Sequence, residues 1–169
     1  AGHIFDALKL KEANFVKVDP GSGGALAGTI AKAYERKQPW FGYYWAPTAV
    51  LGKYPMVKVD FGQGTDKAHY ESCITQEVCE NPKPIMWPKI TVQTVVTGEF
   101  AQRAPQAMKY LKARSYTNEQ LNQLLVWMED NQADGETAMI EFMQKQPQIW
   151  SAWLDETAKA KVEAAISEL

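Results

Sequence analysis

Residues 40–47 read Trp40-Phe41-Gly42-Tyr43-Tyr44-Trp45-Ala46-Pro47, with five aromatic side chains in six positions and a closing proline. Aromatic residues favour strands, and Pro47 ends regular pairing just after Trp45. Side chains of a strand alternate between its two faces, so Phe41, Tyr43 and Trp45 share one face. From the residues alone, the favoured interpretation is a core strand built from large residues. The alternative is that rings this dense at a strand's end form walls that close around a ligand, because the faces of Trp and Tyr attract a desolvated cation by up to about 2 kcal/mol per ring.

The composition is that of an ordinary soluble globular protein, with 46% hydrophobic and 22% charged residues. A length of 169 residues suits one domain, or one and a part. The net charge of -2 gives no general attraction for nucleic acid or for an anionic membrane. No apolar run is long enough to span a bilayer, and the first residues lack the pattern of a signal peptide. We therefore expect a chain that is mature, cytosolic or cleaved from a longer one.

The two cysteines, Cys73 and Cys79, are separated by five residues in a segment whose polar residues and prolines predict a loop. A local disulfide there would indicate an oxidising compartment such as a periplasm. Spacing alone does not prove the bond, and two free thiols are the alternative. The spacing gives little support for a redox-active or zinc motif, and that of Asp60, Asp66 and His69 gives none for a metal site. We predict no metal and no cofactor.

The first part of the chain reads as helix, strand, helix and strand, which places the two strands parallel in one sheet. Ser22 stands in a Gly-rich turn and is predicted to cap the second helix. A short helix is predicted over 47–54, and 62–88 reads as a long irregular segment. The strands are predicted from alternating apolar residues, over 14–18, over the aromatic stretch, over 56–61 and over 90–96.

After Gly98 the pattern changes to four helices, predicted over 101–114, 118–130, 135–145 and 147 to the end. Thr117 and Gln120 have the spacing of a capping box at the start of the second of these. The fold class predicted is α/β. The predicted domains are residues 1–88, a partial α/β lobe carrying the aromatic strand, and residues 89–169, a strand followed by a helical part.

The ordered motifs resemble those of the glycine betaine-binding proteins of osmoprotectant ABC importers. The similar motifs are the Lys/Arg-x-x-Pro segment ending at Pro39, the aromatic Trp-x-Pro element, Met86-Trp87-Pro88, the helix start Ala104-Pro105-Gln106-Ala107, and the closing Trp150-Ser151-Ala152-Trp153-Leu154. The resemblance covers most of the chain. It implies the type II periplasmic binding protein architecture, here with part of one α/β lobe and the helical C-terminal part of the other.

The resemblance implies a substrate-binding component that performs no chemistry, holds a quaternary ammonium ligand in a cage of aromatic rings and delivers it to a membrane permease in the periplasm. Trp45 carries the cage role over directly, and Tyr43 and Tyr44 are weaker candidates for ligand binding. Family members are much longer on the N-terminal side, so the resemblance implies a C-terminal portion, whose exposed apolar surface predicts self-association.

Two hypotheses of other classes compete with this one. The first is a non-catalytic structural or interaction domain with an aromatic core strand, which predicts that Trp45 is buried on every side. The second is a periplasmic thiol enzyme that uses Cys73 and Cys79, which predicts a pair that cycles readily with a mild reductant.

Overall fold

The computed structural model describes residues 1–168, and the secondary structure formed within them is helical. The helices are, in chain order, α1 (Gly2–Ala7), α2 (Gly23–Glu35), α3 (Ala49–Lys53), α4 (Lys67–His69) continued by a π-helical turn (Tyr70–Ile74), α5 (Gly98–Arg103), α6 (Pro105–Ala113), α7 (Asn118–Asn131), α8 (Gly135–Lys145), α9 (Pro147–Trp150) continued by a 3-10 turn (Ser151–Trp153), and α10 (Glu156–Ile166).

The chain forms two compact units, and each consists of separate stretches of sequence. Unit 1 contains Ala1–Tyr44 and Met56–Val92, and unit 2 contains Trp45–Pro55 and the chain from Gln93 onward. The domains predicted from the sequence, 1–88 and 89–169, do not include the excursion of residues 45–55 into unit 2. A single boundary placed from the sequence pattern divides the chain into two continuous domains. Residues 45–55 join unit 2 instead because they contact α7, a helix far along the chain.

Helix ends follow the capping signals of the sequence. The Ser22 hydroxyl accepts a hydrogen bond from the backbone N–H of Ala25, which confirms the predicted cap of α2. The capping box of α7 is confirmed in both directions, because the Thr117 hydroxyl accepts from the Gln120 N–H and the Gln120 side chain accepts from the Thr117 N–H. These caps satisfy backbone donors that a helix start otherwise leaves without a partner.

Two helices predicted as continuous are interrupted. The helix predicted over 101–114 is divided into α5 and α6 at Ala104, since Pro105 has no N–H to continue the ladder and instead occupies the first turn of α6. The last predicted helix is divided into α9, the 3-10 turn and α10, which begins after Asp155. The carboxylate of Asp155 accepts from the Ala158 N–H as the cap of α10.

The predicted strands are not formed within residues 1–168, so the α/β class is not confirmed by this structure. The segments predicted as strands have no regular secondary structure, and the pairing that the described residues show outside helices is one isolated parallel bridge between Thr65 and Met86. A helix satisfies its backbone groups within itself, whereas a strand needs a neighbouring strand for every N–H and C=O. Several apolar side chains of these segments are accordingly exposed, with Val57 and Val92 each at 91%.

Each unit has its own hydrophobic core. The core of unit 1 contains Ile4, Ile74 and Ile85, with a shell of Leu8, Phe61, Tyr70, Cys79 and Trp87. The core of unit 2 is built around Phe142, Trp150 and Trp153, with helices α6, α7, α8 and α10 supplying the residues around them. The Trp-x-x-Trp motif therefore serves packing.

Candidate functional site

The three predicted ligand contacts fall at the point where the chain leaves unit 1. Tyr43 and Tyr44 are the last residues of the first stretch of unit 1, and Trp45 is the first residue of unit 2. Tyr44 is half-buried, Tyr43 is exposed, and the Trp45 side chain is 45% exposed. The structural-domain alternative requires a Trp45 that is buried on every side, and this structure does not have one.

Within unit 1, the Tyr43 ring packs against an aromatic partner that the sequence did not predict. The centroid of the Tyr43 ring lies 5.0 Å from that of Trp87, with 39° between the two ring planes. Trp87 also contacts the Phe61 ring, whose centroid lies 6.2 Å away. Such offset pairs stabilise by about 0.5–1.5 kcal/mol beyond the area they bury. Trp87 stands between two prolines in the sequence, and nothing in its spacing pairs it with residue 43.

Trp40 is used for local packing. Its indole Nε1 donates to the Thr29 hydroxyl at 3.0 Å, and its ring covers the backbone at Gly42. A Cβ at Gly42 would lie 2.7 Å from the Trp40 ring, so the glycine in this aromatic run allows the ring to fold back. The side chains here therefore do not alternate between two faces as in a strand, because the Trp40 ring folds back onto the backbone of Gly42.

Within unit 2, the segment that begins with Trp45 is attached to helix α7. The Thr48 backbone N–H donates to the side-chain Oδ1 of Asn122 at 2.7 Å. Asn122 is a buried polar side chain, 7% exposed. Thr48 also caps α3, its hydroxyl accepting from the Leu51 N–H. The backbone three residues after Trp45 is therefore held by a side chain 74 positions further along the chain.

Two ion pairs join Lys53, the last residue of α3, to α7. The Lys53 ammonium lies 2.7 Å from an Asp130 carboxylate oxygen and 3.0 Å from one of Glu129. Hydrogen bonds to Asp130 and then to Glu129 raise the pKa of Lys53 above its ordinary value, so it stays protonated. The two acidic side chains are largely exposed, and such pairs contribute little to stability. They connect the last residue of α3 to the last turn of α7.

The predicted disulfide between Cys73 and Cys79 is present and lies beside the core of unit 1. His69 joins the two cysteines in a cluster whose potential ligand atoms lie within 4.8 Å of one another, although no sequence spacing predicted this. Both sulfurs are bonded to each other and offer no thiolate, and the His69 Nε2 accepts a hydrogen bond from the Lys83 N–H at 3.1 Å. The disulfide and the His69 hydrogen bond therefore stabilise the segment from residue 69 to residue 83.

Unit 2 contains an apolar cavity of about 210 Å³ within its core, lined by Tyr110, Met139, Phe142, Met143, Trp150, Trp153, Leu154 and Val162. The Trp150 Nε1 donates to the Met143 carbonyl at 2.8 Å, so its polar atom is satisfied by the backbone. Tyr116 packs edge-on against Trp153 at 5.0 Å, and burial raises the pKa of its hydroxyl. The cavity belongs to the packing of the helices.

Within residues 1–168, no helix combines the length and the apolar character needed to cross a membrane. The comparison with protein families gives one result. The model of a family described as the substrate-binding domain of the ABC-type glycine betaine transport system matches residues 1–145. No curated protein matches the chain.

Proposed function

Because the chain belongs to the family of substrate-binding domains of ABC-type glycine betaine transport systems, we propose that it binds glycine betaine or a related quaternary ammonium solute through Trp45. Family membership implies the type II periplasmic binding protein architecture, a small-molecule ligand and a permease as partner. We further propose that the protein acts in the periplasm, and that it binds its ligand without converting it. The intact disulfide agrees with an oxidising compartment.

The observation that carries this proposal is the exposure of Trp45. The core tryptophans Trp150 and Trp153 are 3% and 8% exposed, whereas Trp45 is 45% exposed at the end of an aromatic run. A large apolar ring left open to solvent loses the stabilisation that burial would give it, so its exposure favours a role in binding. The π face of an indole is the strongest protein partner for a cation.

The chemistry of a quaternary ammonium explains why a ring is suited to this role. The cation carries no N–H, so it makes no charge-assisted hydrogen bond of the kind that a carboxylate forms with lysine or arginine. Attraction to the faces of aromatic rings remains, at up to about 2 kcal/mol per ring when water is excluded. Tyr43 and Tyr44 stay predicted contacts.

Isothermal titration calorimetry with glycine betaine tests the proposal directly. Replacing Trp45 with Ala removes the ring, and we expect affinity to fall by up to about 30-fold, the equivalent of about 2 kcal/mol. Trp45→Phe keeps a weaker π face and should lose less. Trp127→Phe, a half-buried tryptophan on α7 in the same unit, is the matched control and should leave affinity unchanged. Tyr43→Leu and Tyr44→Leu report on the two tyrosines.

A neutral isostere of the ligand separates cation recognition from shape. In 3,3-dimethylbutyrate the quaternary nitrogen of glycine betaine is replaced by carbon, so the size and the carboxylate are kept and the positive charge is lost. We expect this anion to bind much more weakly than glycine betaine. Equal affinity for the two compounds, or no binding of glycine betaine by the parent chain, would contradict the proposal.

A further inference from the structure

Segment 45–55, which we name the Trp45 arm, is attached to one face of α7 between Thr48 and Lys53. Its contacts on α7 are Asn122 for Thr48, Val126 for Gly52, and the pair Glu129 and Asp130 for Lys53. Positions 122, 126 and 129 are spaced by about one turn each, so they lie on one side of the helix. The order of contacts along the arm follows the order along α7.

The contact at Gly52 is too close for any other residue. A Cβ there would lie 2.6 Å from Cγ2 of Val126 and 3.0 Å from the Asn122 carbonyl oxygen. Backbone that meets a neighbouring helix at such a distance requires glycine. Val50, the second residue of α3, is buried. The arm is therefore packed against α7 and is not a free loop.

The contact at Asn122 lies nearest to Trp45. Between Trp45 and the anchored N–H of Thr48 stand Ala46 and Pro47, and the pyrrolidine ring of Pro47 fixes its φ near −65°. Few rotatable backbone bonds thus separate the ring from the anchor. A buried side-chain oxygen that accepts from a backbone N–H gives a directional attachment, which apolar packing alone does not supply.

We propose that Asn122 is a positioning residue for Trp45: together with Gly52 it attaches the Trp45 arm to α7 and so sets where the indole ring stands. The inference rests on the proposed function for its role in ligand binding, although the attachment itself is observed apart from any ligand. Asn122 does not touch the ligand in this proposal and acts through the backbone of Thr48.

Fluorine NMR of the 169-residue chain labelled with 5-fluorotryptophan tests the positioning without ligand. The chain has six tryptophans, and Trp45→Phe assigns the resonance of residue 45. In Asn122→Ala we expect the Trp45 resonance to shift and its accessibility to acrylamide to change, while the Trp153 resonance stays in place. Asn122→Asp, which keeps an acceptor oxygen at the same position, should restore the parent signal. An unmoved Trp45 resonance in a folded Asn122→Ala chain overturns the inference.

The matched control lies on the same helix. Asn131 is exposed and its side chain donates to the Trp127 carbonyl at 2.8 Å, so Asn131→Ala makes the same chemical change at the last residue of α7. We expect it to leave the Trp45 resonance unchanged. If Asn131→Ala moves that resonance as much as Asn122→Ala, the effect is a general one on α7 and the proposal is wrong.

A second variant keeps the test independent of Asn122. Gly52→Ala forces α3 away from Val126, and we expect it to move the Trp45 resonance as Asn122→Ala does. Adding Val126→Ala removes the nearest clashing atom, and the double variant should move back towards the parent signal. A Gly52→Ala chain with an unmoved Trp45 resonance counts against the attachment.

Calorimetry then connects the position to binding. If the parent binds glycine betaine, we expect Asn122→Ala to weaken the affinity by about tenfold, since small misplacements of a contacting group are costly. Unchanged affinity in that variant overturns the role of Asn122 in binding. A parent that does not bind glycine betaine contradicts the proposed function instead, and the fluorine resonances then decide the attachment alone.

Discussion

The large aromatic rings of the unit 2 core and the valines of unit 1 differ in their burial. In unit 2 the large rings are enclosed by helices, and Phe142 and Trp153 stack with 15° between their planes. In unit 1 the valines of the segments predicted as strands are exposed, although their alternation is that of a half-buried sheet. A helix satisfies its backbone groups within itself and can close a core from local sequence, whereas a segment with the alternation of a strand buries its apolar face only when a partner strand is present.

The largest effect is expected in the core of unit 2. Trp153→Ala removes a ring that contacts Tyr110, Tyr116 and Phe142, and we expect it to lower the free energy of unfolding by about 3–5 kcal/mol. Chemical denaturation followed by near-UV circular dichroism measures it. Trp45→Ala removes the same ring from a much more exposed position and should cost less. Equal losses for the two variants would contradict the distinction between core and site tryptophans.

The next effect is expected in unit 1, where the disulfide braces the core. The cysteines are six positions apart, and closing so short a loop stabilises by roughly 2 kcal/mol in the chain-entropy description. Reduction should therefore lower the protection of the Ile74 and Ile85 amides against hydrogen exchange and leave helix α8 unchanged. The variant with both Cys73→Ser and Cys79→Ser should show no response to reductant. Unchanged protection of Ile74 on reduction would mean that the loop is held without the bond.

The sequence predicted unit 2 better than unit 1, for a physical reason. Helix starts depend on residues three positions apart, so the capping box at Thr117 in unit 2 could be predicted directly, as could the cap at Ser22 of the helix α2 in unit 1. The short helix α3 was predicted as well, over 47–54, although its attachment to α7 was not. That attachment needs Gly52 and Asn122 to meet across 70 positions, and no local pattern carries this information.

The candidate site shows the same division. The aromatic run and the disulfide pair were predicted from residues close together in sequence, and the disulfide is confirmed. The partners Trp87 for Tyr43 and Asn122 for Thr48 were missed, since each joins distant stretches. The strands were predicted from the alternation of apolar and polar residues. This alternation indicates which face of a strand would be buried, but it does not indicate whether a partner strand is present.

Replacing the exposed valines is expected to change stability little and self-association clearly. We predict that copies of the chain self-associate through apolar side chains such as Val57 and Val92. The double variant Val57→Lys and Val92→Lys should lower the association seen in analytical ultracentrifugation, while stability changes by about 0.5 kcal/mol or less. Lys58→Ala with Lys89→Ala, at neighbouring positions, is the control. A parent chain that is monomeric at high concentration would contradict this prediction.

The smallest effect concerns pH and the start of α8. The Asp134 carboxylate accepts from the Thr137 backbone N–H at 2.9 Å, and this bond lowers the pKa of Asp134 below its ordinary value of 3.8. A carboxyl whose pKa is lower in the folded state stabilises that state above the unfolded pKa, and this stabilisation is lost as pH falls through the folded pKa. We therefore expect the first turn of α8 to lose amide protection at acidic pH, below the ordinary carboxyl pKa.

Asp134→Asn separates the charge from the hydrogen bond, because asparagine caps a helix equally well and does not titrate. The variant should keep the first turn of α8 at neutral pH and lose the acid response at Thr137. Carbon-13 NMR of the Asp134 carboxyl, followed against pH, gives its midpoint directly. A midpoint at or above 3.8, or an unchanged acid response in Asp134→Asn, would assign the pH dependence of α8 to another group. Since α8 carries Phe142 of the unit 2 core, a frayed start that leaves Phe142 protected would show that packing, and not the cap, holds this helix.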